Sequence, residues 1–413
     1  MTSLMLPPGL KGKRVLLCSQ GIPHPQRGAS TVLFFQYAKG LRDAGCRVTH
    51  VLLLEGSGDT GQLNEYAQTV GAGAEFEIEP CVLGRYYRVH RFSREISAAP
   101  LPESLAGRLR DDHWDLVVTL DVLSAAVTAP LALVAPQVVW LGDLNFQTAW
   151  YSALYGALEN PRRWGHVPFA WIGARAWRAF YKSVLKDAAA IVVSSKSSEA
   201  ELASLGLAGT YLPYPWPEPP ISGGRDSTIP SIPTFLFFGT LAALGSRSAF
   251  HVLLDRLYPL LVRLWGEGNF KILIAGTNNL PAWVKDQLPL KPEVEFLGFV
   301  DDLNAVASCC HAIIAPMDIP VGNRSRIVTA MALGKLVIAH SNTSLGNPDL
   351  VSGETCLLSN TLQGFVKHMQ FSVQHVGQAG AIGKRARDAY ERTFAPSVAV
   401  GRFLDAVASV VIG

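Results

Sequence analysis

The segment His311–Ala339, HAIIAPMDIPVGNRSRIVTAMALGKLVIA, decides the fold. It opens with a short apolar run, His311–Pro316, and it closes with a second one, Lys335–Ala339. Between them, GNRSR opens a stretch whose apolar residues have helical spacing. Strand, helix and strand in this order predict a unit whose two strands run parallel. Apolar runs that are continuous rather than alternating are expected for central strands covered on both faces.

The same alternation extends along the whole chain. The second half adds the strand-like runs Thr234–Gly239, Phe270–Ala275 and Val294–Leu297, and the first half has six more: Arg14–Ser19, Arg47–Leu54, Glu75–Leu83, Asp115–Leu120, Gln137–Leu141 and Ala189–Ser194. A stretch rich in proline and glycine, Tyr211–Gly224, separates the two series and reads as a linker. We therefore predict two Rossmann-like, doubly wound α/β domains that face a cleft. They cover residues 1–215 and 232–395, with a linker at 216–231 and a terminal helix at 396–413.

Composition argues against several classes of protein. The chain has 36 basic and 33 acidic residues, and this net charge of +3 is too small to indicate a nucleic-acid partner. The first residues lack a signal-peptide pattern, and no uncharged apolar run reaches the roughly 18 residues of a transmembrane helix. The six cysteines form no CxxC pair, as is typical of buried, reduced thiols. We expect a cytoplasmic protein without a membrane-spanning helix.

From Val294 to Leu358 the sequence resembles the family 4 group of GT-B glycosyltransferases, also called glycosyl transferases group 1. The resemblance is carried by VEFLGFVDDL, AIIAPMDIP and above all GNRSRIVTAMALGKLVIA (Gly322–Ala339). It implies an enzyme that moves a sugar from a nucleoside diphosphate sugar, with a UDP-sugar as the expected donor and no cofactor. The acceptor would be a polysaccharide, a glycolipid or a metabolite. The resemblance also implies retention of configuration, a donor site in the C-terminal domain, and a last helix that returns to the N-terminal domain.

Four positions depart from the family pattern. Thr329 stands where the family has a glutamate that bonds the ribose, and Val321 stands at the partner glutamate. Thr240 replaces an arginine after the first C-terminal strand, and Gly142 replaces a histidine near the fifth N-terminal strand. These departures leave the donor nucleotide open. They also keep two alternatives, a non-catalytic nucleotide- or sugar-binding module and a sugar-nucleotide epimerase on the same fold.

Transfer from such a donor needs positive charge around the departing diphosphate. Arg324 and Arg326 lie where GNRSR opens a helix, so that guanidiniums and the helix N-terminus can bind phosphate together. A solvated or helix-capping arginine pair is the alternative. Arg247 follows Gly239, a strand end where a ligand can approach the backbone, and it could replace the absent arginine. Thr329 is kept as a further donor-side candidate.

Two loop positions complete the predicted donor site. Ser344 lies in the turn Asn342–Gly346, whose consecutive amides could form an anion-binding nest. Gly28 lies in the loop between the first strand and the first helix, where a glycine would let the diphosphate or the acceptor come near.

The N-terminal domain supplies the acceptor-side candidates. Asp143, after the strand Gln137–Leu141, is the predicted catalytic or acceptor-binding carboxylate, although it could also be a helix N-cap. Asp121 is a weaker rival, and His24 is either a sugar contact or a structural loop residue. The chain has no DxD metal motif, so we expect no obligatory metal.

The segment Asn160–Lys186 interleaves six basic residues with six aromatic ones and contains no acid. Such a pattern suits an anionic membrane surface, a lipid-diphosphate acceptor, or stacking against sugars. The alternative is an amphipathic helix whose aromatic side chains face the core. Under the first interpretation the protein would work at the inner face of the membrane as a peripheral protein.

Overall fold

The computed structural model describes residues 9–57, 60–90, 95–219, 230–276, 280–321 and 324–412. It divides into two compact units. The first comprises Met1–Ala149, Pro168–Pro217 and Ala395–Gly413, and the second comprises Trp150–Val167 and Glu218–Phe394. The segment Trp150–Val167 therefore groups with the second unit, although the sequence placed it in the N-terminal domain. Residues 220–229 of the predicted linker lie outside the described residues, as do Gly322 and Asn323 of the donor motif.

The chain up to Tyr211 contains nine strands and seven α-helices among the residues that the structure describes. In chain order they are β1 (Arg14–Gln20), α1 (Ser30–Asp43), β2 (Arg47–Leu54), α2 (Thr60–Val70), β3 (Phe76–Val82), β4 (Tyr87–Val89), β5 (Ile96–Ala98), α3 (Glu103–Asp111), β6 (Leu116–Leu120), α4 (Val122–Thr128), β7 (Gln137–Leu141), α5 (Asn145–Glu159), α6 (Val167–Leu185), β8 (Ala190–Val193), α7 (Lys196–Ser204) and β9 (Gly209–Tyr211).

Seven of these strands form one parallel sheet in the order β3-β2-β1-β6-β7-β8-β9, and β4 and β5 form a separate antiparallel pair. All six predicted strands are present. The chain runs outward from β1 through β2 and β3, and then returns to the other side of β1 with β6. This reversal is the topological switch point, where open α/β sheets bind ligands beyond the carboxyl ends of their strands.

A buried polar network fixes β1 to β2 and α2 in the first unit. His50 lies 2.8 Å from the Ser19 hydroxyl through Nε2 and 2.7 Å from the Tyr66 hydroxyl through Nδ1, and all three residues are buried. Burial lowers the pKa of His50 from 6.5 to about 3, so this imidazole is neutral in the folded protein.

The second unit repeats the architecture. Its elements after the linker are β10 (Thr234–Gly239), α8 (Leu244–Phe250), a π-helix (His251–Leu257), α9 (Tyr258–Trp265), β11 (Lys271–Gly276), α10 (Ala282–Gln287), β12 (Val294–Gly298), α11 (Leu303–Ser308), β13 (Ala312–Ala315), α12 (Ser325–Ala332), β14 (Val337–His340), β15 (Leu357–Ser359), α13 (Leu362–Gln374) and α14 (Val376–Thr393). Six parallel strands pair in the order β12-β11-β10-β13-β14-β15. The prediction of two doubly wound α/β domains is confirmed.

The last helix, α15 (Pro396–Ile412), groups with the first unit and packs on α1. The rings of Tyr37 and Phe403 lie 4.4 Å apart between centroids. Gly40 lets the helices approach closely, because a Cβ at this position would come within 2.4 Å of Val400 Cγ1.

One described helical stretch, Val376–Ile412, is long and apolar enough to cross a membrane by length and composition alone. It consists of α14 and α15, and a core helix of a globular protein passes the same test. Phe403, Leu404 and Val407 of α15 are buried in the first unit, which accounts for part of this apolar composition.

Candidate active site

The strands β10 and β11 both end in a glycine. Gly239 and Gly276 are register partners at the last position of the two strands. A Cβ on Gly276 would come within 2.1 Å of the Gly239 carbonyl oxygen, and Gly239 itself has a φ of +130°. Neither position accommodates a side chain without strain, so both strand ends at this edge of the sheet require glycine.

Arg326 extends from the first turn of α12 to this edge. A Cβ on Gly239 would come within 2.7 Å of the Arg326 Nη2 atom. The guanidinium donates from Nη2 to the Ser246 hydroxyl at 2.6 Å, and it lies over the Phe237 ring, 4.2 Å from the centroid. Its buried Nε–H has no hydrogen-bond partner among the described residues.

The charge of Arg326 is not neutralised by the residues that the structure describes, since none of them forms an ion pair with it. Burial, with a smaller contribution from the neighbouring Arg324 charge, lowers the pKa of Arg326 to about 9. Arg324 is also buried, and its Nη2 donates to the Ile319 carbonyl oxygen at 2.6 Å. The Arg326 guanidinium, with an unpartnered Nε–H and no ion pair to a described residue, favours an anion as its partner.

Arg247 has a protein partner in the second unit. Its Nε and Nη2 donate to the two carboxylate oxygens of Glu159 at 2.7 and 2.6 Å, a bidentate pair. The phosphate-binding role predicted for Arg247 stays a prediction, and an anion there would have to share the guanidinium with Glu159.

Two amides of the predicted anion nest Asn342–Gly346 bond within the loop. The Ser344 amide and hydroxyl both donate to the Ser341 carbonyl oxygen, at 3.1 and 2.9 Å, and the Asn342 amide donates to His340 Nδ1 at 3.2 Å. Thr329 and Val321 are buried, so the two positions of the family glutamates lie in packed surroundings. Roles for Ser344 and Thr329 in donor binding stay predictions.

In the first unit, Gly28 and His24 shape the loop between β1 and α1. Gly28 has a φ of +82°, which favours glycine. His24 Nδ1 accepts hydrogen bonds from the amides of Gln26 and Arg27 at 3.0 and 2.9 Å, and its Nε2 lies 3.2 Å from a Glu65 carboxylate oxygen. Through these contacts His24 stabilises the loop between β1 and α1. A contact with a sugar would be an additional role.

Asp121 follows β6 at the topological switch point and is the N-cap of α4. Its φ of +112° is a strained conformation for a residue with a Cβ. Its Oδ1 accepts from the Leu123 amide at 2.7 Å and from Gln20 Nε2 at 3.2 Å. Burial raises the pKa of Asp121 to about 6. Strain and a perturbed carboxyl together at a ligand-binding edge are typical of functional residues.

Asp143 lies at the same edge, because it follows β7, the neighbour of β6. Its side chain is exposed, and α5 begins two residues later, at Asn145. Burial first, and then the charges of Asp121 and Asp143, raise the pKa of Tyr181 well above its ordinary value. The structure therefore brings the two predicted carboxylates near one tyrosine. The catalytic assignment of Asp143 stays a prediction.

Some aromatic residues of the segment Asn160–Lys186 are buried in the core, and others are exposed. Trp177, Phe180 and Tyr181 are buried in the core of the first unit, as the amphipathic alternative predicts. Phe169 and Trp171, at the start of α6, are 60% and 51% exposed. Arg175 lies over the Trp171 ring, 4.7 Å from its centroid. Exposed aromatic and basic side chains therefore gather at the N-terminal half of α6.

Within the described residues, no group of three or more histidine, cysteine, aspartate or glutamate side chains could hold a metal ion. The expectation of metal-independent chemistry stays a prediction.

Residues 232–374 match the family model Glycosyl transferases group 1. The second unit thus carries a group 1 glycosyltransferase domain. This match confirms the resemblance drawn from Val294–Leu358, and with it the prediction of a glycosyltransferase enzyme. No curated protein matches the chain.

The glycosyltransferase fold is shown by solved structures that resemble the whole chain. Anabaena HepE, solved with UDP and glucose, is 14% identical, with a TM-score of 0.64 and coverage of 96% of this chain and 99% of that one. Sucrose-phosphate synthase from Thermosynechococcus elongatus is 15% identical, with a TM-score of 0.65 and coverage of 96% and 99%. S. aureus TarM, solved as a variant with fondaparinux, alpha-GlcNAc-glycerol and UDP, is 8% identical, with a TM-score of 0.63 and coverage of 97% and 100%. The fold of this chain is GT-B.

Sequence reasoning missed three residues of this site. Gly276 could have been found, because it ends a predicted strand that neighbours the one ending at Gly239. Ser246, the partner of Arg326, and Glu159, the partner of Arg247, lie 80 and 88 residues from those arginines. No local sequence pattern indicates which residues pair over such distances.

Proposed function

We propose that this protein transfers a sugar from a nucleoside diphosphate sugar, with a UDP-sugar as the first candidate, and that the diphosphate binds at Arg326. The observation that carries the proposal is the partly buried Arg326 guanidinium, which has a buried Nε–H without a partner, forms no ion pair with a described residue and lies at the glycine edge of β10 and β11. A diphosphate would supply the missing negative charge.

The proposed chemistry places Arg326 where charge develops. The bond between the anomeric carbon and a diphosphate oxygen breaks, a bond to an acceptor hydroxyl oxygen forms, the hydroxyl proton passes to a carboxylate, and the diphosphate leaves with one more negative charge. A guanidinium fixed by Ser246 and Phe237 stabilises that charge more than it stabilises the bound donor. Retention of configuration and independence from metal are part of the proposal, the former through the family resemblance alone.

Several similar structures support UDP as the nucleotide. HepE has been solved with UDP and with UDP-glucose, and TarM with UDP. The first test is a thermal-shift panel of UDP, GDP, ADP, CMP and dTDP, since a ligand that binds the folded state raises the melting temperature. A selective shift by UDP supports the proposal. The absence of any shift by all five, together with no transfer or hydrolysis of UDP-sugars, would contradict it.

For the acceptor we propose the carboxylates of the first unit. At pH 7 a carboxyl group with a pKa of about 6 is mostly ionised, and Asp121 can therefore accept a hydrogen bond or a proton from an acceptor hydroxyl. Asp143 is exposed at the same edge and can position the acceptor. Carbohydrate and lipid-linked acceptors both present such hydroxyls, so the acceptor assay should include both classes.

We further propose that the start of α6 contacts an anionic membrane from the cytoplasmic side. Phe169, Trp171 and Ile172 are exposed there, and Val89 of the neighbouring strand β4 is exposed as well. The spacing of Trp171, Arg175, Arg178 and Lys182 places an aromatic ring and three cations on one helix face. Apolar side chains beside cations are suited to the boundary between acyl chains and anionic headgroups.

A further inference from the structure

The ion pair between Arg247 and Glu159 lies close to the proposed phosphate site. Arg247 follows Ser246 on α8, and the Ser246 hydroxyl accepts from Arg326 Nη2 at 2.6 Å. The Nε and Nη2 atoms of Arg247 donate to both carboxylate oxygens of Glu159. The two side chains of this pair are only 19% and 16% exposed, so solvent ions screen it little. A diphosphate at Arg326 can therefore use these two donors of Arg247 only by displacing the Glu159 carboxylate.

The Glu159 carboxylate has a second partner within reach. Its Oε1 lies 3.9 Å from His251 Nε2, which is about 1 Å longer than a hydrogen bond. His251 is the first residue of the π-helix and follows Arg247 by four positions, so the two side chains lie on the same face of this helical segment. A small rotation of the Glu159 side chain is enough to exchange Arg247 for His251.

The His251 imidazole has one polar atom without a hydrogen bond to a described residue. This atom is Nε2, and it is buried. The other ring nitrogen, Nδ1, lies 3.1 Å from Asp255 Oδ2, and because an ionised carboxylate only accepts, the hydrogen is on Nδ1. In the neutral ring Nε2 is then an acceptor close to the acceptor oxygens of Glu159. A proton on Nε2 would turn this unsatisfied acceptor into a donor.

The surroundings of the His251 ring favour its protonated form. The ring stacks on Trp283 of α10, with centroids 4.2 Å apart and planes at 16°, and the face of an indole attracts a cation. The titratable and charged side chains around the imidazole are Glu159 and Tyr155 of α5, Asp255 of the π-helix, and Arg247 of α8. Two carboxylates thus stand against one guanidinium, and an imidazolium would pair with both carboxylates.

We propose that Glu159 and His251 control the access of the donor diphosphate to Arg247. This inference rests on the proposed function, because the diphosphate bound at Arg326 is the anion that takes the Nε and Nη2 donors of Arg247. The released Glu159 carboxylate accepts from His251 Nε2, which takes up one proton from solvent, while Nδ1–H stays on Asp255. Binding of the diphosphate and uptake of a proton are therefore coupled, and each strengthens the other.

Calorimetric titration of the full chain with UDP at pH 8, in two buffers of different ionisation enthalpy, measures the proton uptake. At this pH a terminal phosphate, with its second pKa of about 6, is already ionised, so the uptake belongs to the protein. The unaltered protein should take up protons as UDP binds. Glu159→Gln, His251→Gln and His251→Phe should lose this uptake, and the last of them keeps a ring against Trp283. His375→Gln, at an exposed histidine before α14, is the matched control and should keep it.

The UDP affinity is a second readout of the same titrations. Glu159→Gln should bind UDP about tenfold more tightly, because the competing charged hydrogen bonds are weakened. In the Arg247→Ala background the same substitution should change nothing. The inference is overturned if UDP binds without proton uptake, if both His251 variants keep the uptake, or if Glu159→Gln weakens UDP binding. In each of these cases UDP still binds. If UDP does not bind the unaltered protein, the proposed function itself fails, and the inference fails with it.

Discussion

The guanidinium of Arg326 occupies the space that a side chain at position 239 would need, because a Cβ on Gly239 would lie 2.7 Å from Arg326 Nη2. The glycine at the end of one strand and the arginine at the start of a helix 87 positions later thus form a single feature. The first two predictions follow from this relationship.

Arg326→Ala should weaken UDP binding about tenfold or more, since a charged hydrogen bond contributes about 1.5–3 kcal/mol. Thr329→Ala should have a much smaller effect, because Thr329 is a buried residue on α12 without a charge. Titration calorimetry with UDP, UMP and uridine measures both. Unchanged UDP affinity in Arg326→Ala, with affinity lost in Thr329→Ala, would contradict the phosphate assignment.

Gly239→Ala should displace the Arg326 side chain and therefore lower UDP affinity through the same contact. In the Arg326→Ala background the glycine substitution should cost less affinity, so that the two changes are not additive. A double-mutant cycle measures this coupling. Additive losses would show that Gly239 and Arg326 act independently.

Removing the charge of Arg326 should stabilise the protein in the absence of ligand. A guanidinium whose pKa is lowered to about 9 carries a cost of burial at pH 7, so Arg326→Met should raise the melting temperature by about 2–4 °C per kcal/mol gained. Saturating UDP should reverse the order of the two proteins. A variant that melts lower in the absence of ligand would show that the stacking on Phe237 and the bond to Ser246 outweigh the charge.

Asp121→Asn should lower transfer to the acceptor strongly while the UDP affinity stays unchanged. Activity of the unaltered enzyme should rise with pH through about 6, because the carboxyl must lose its proton before it can accept one.

The raised pKa of Asp121 has the opposite effect on stability, which it lowers as the pH rises. A carboxyl whose folded pKa is raised from 3.8 to about 6 destabilises the protein increasingly from pH 4 to pH 6. Asp121→Asn should therefore be the more stable form at pH 7, and its advantage should vanish near pH 4. Equal stability at both values would contradict the burial of this charge.

The His50 network predicts acid sensitivity. A histidine whose pKa falls from 6.5 to about 3 on folding contributes stability above pH 6.5, and this is lost as the pH drops towards 3. The slope contributed by His50 is at most about 1.4 kcal/mol per pH unit. Urea unfolding of His50→Gln at pH 7, 5.5 and 4.5 should give a shallower slope than the unaltered protein, although the variant loses the bonds to Ser19 and Tyr66. Equal slopes of unfolding free energy against pH in the two proteins would show that His50 does not cause the acid sensitivity.

Vesicle binding tests the membrane contact. The protein should sediment with phosphatidylserine-containing vesicles at low ionic strength and be released by salt. Combined Phe169→Ser and Trp171→Ser should weaken this binding about tenfold, whereas Leu290→Ser, which removes an exposed apolar side chain from the second unit, should not. UDP affinity is the control for folding. Binding that none of these substitutions alters would place the contact elsewhere or exclude it.

The sequence predicts the fold well because strands buried on both faces are continuous apolar runs, as in Arg47–Leu54. It misses β4, β5, β9 and β15, because three residues each are too short a run to stand out. Arg326 was predicted from the motif, but the absence of an ion pair among the described residues is a property of three-dimensional packing. The strain at Asp121 is equally invisible in a sequence, since an aspartate after a strand reads as an ordinary N-cap.

The packing of α15 on α1 also sets an order of events during synthesis. Tyr37 and Gly40 are made early, but Phe403 and Val400, which cover them, are more than 350 residues downstream. During synthesis the apolar face of α1 in the first unit therefore stays uncovered until α15 has been made. Most of the second unit is a continuous stretch that can fold as it leaves the ribosome. We therefore expect chains that end before Pro396 to aggregate, because the first unit is completed only by a helix that follows the second unit in the sequence.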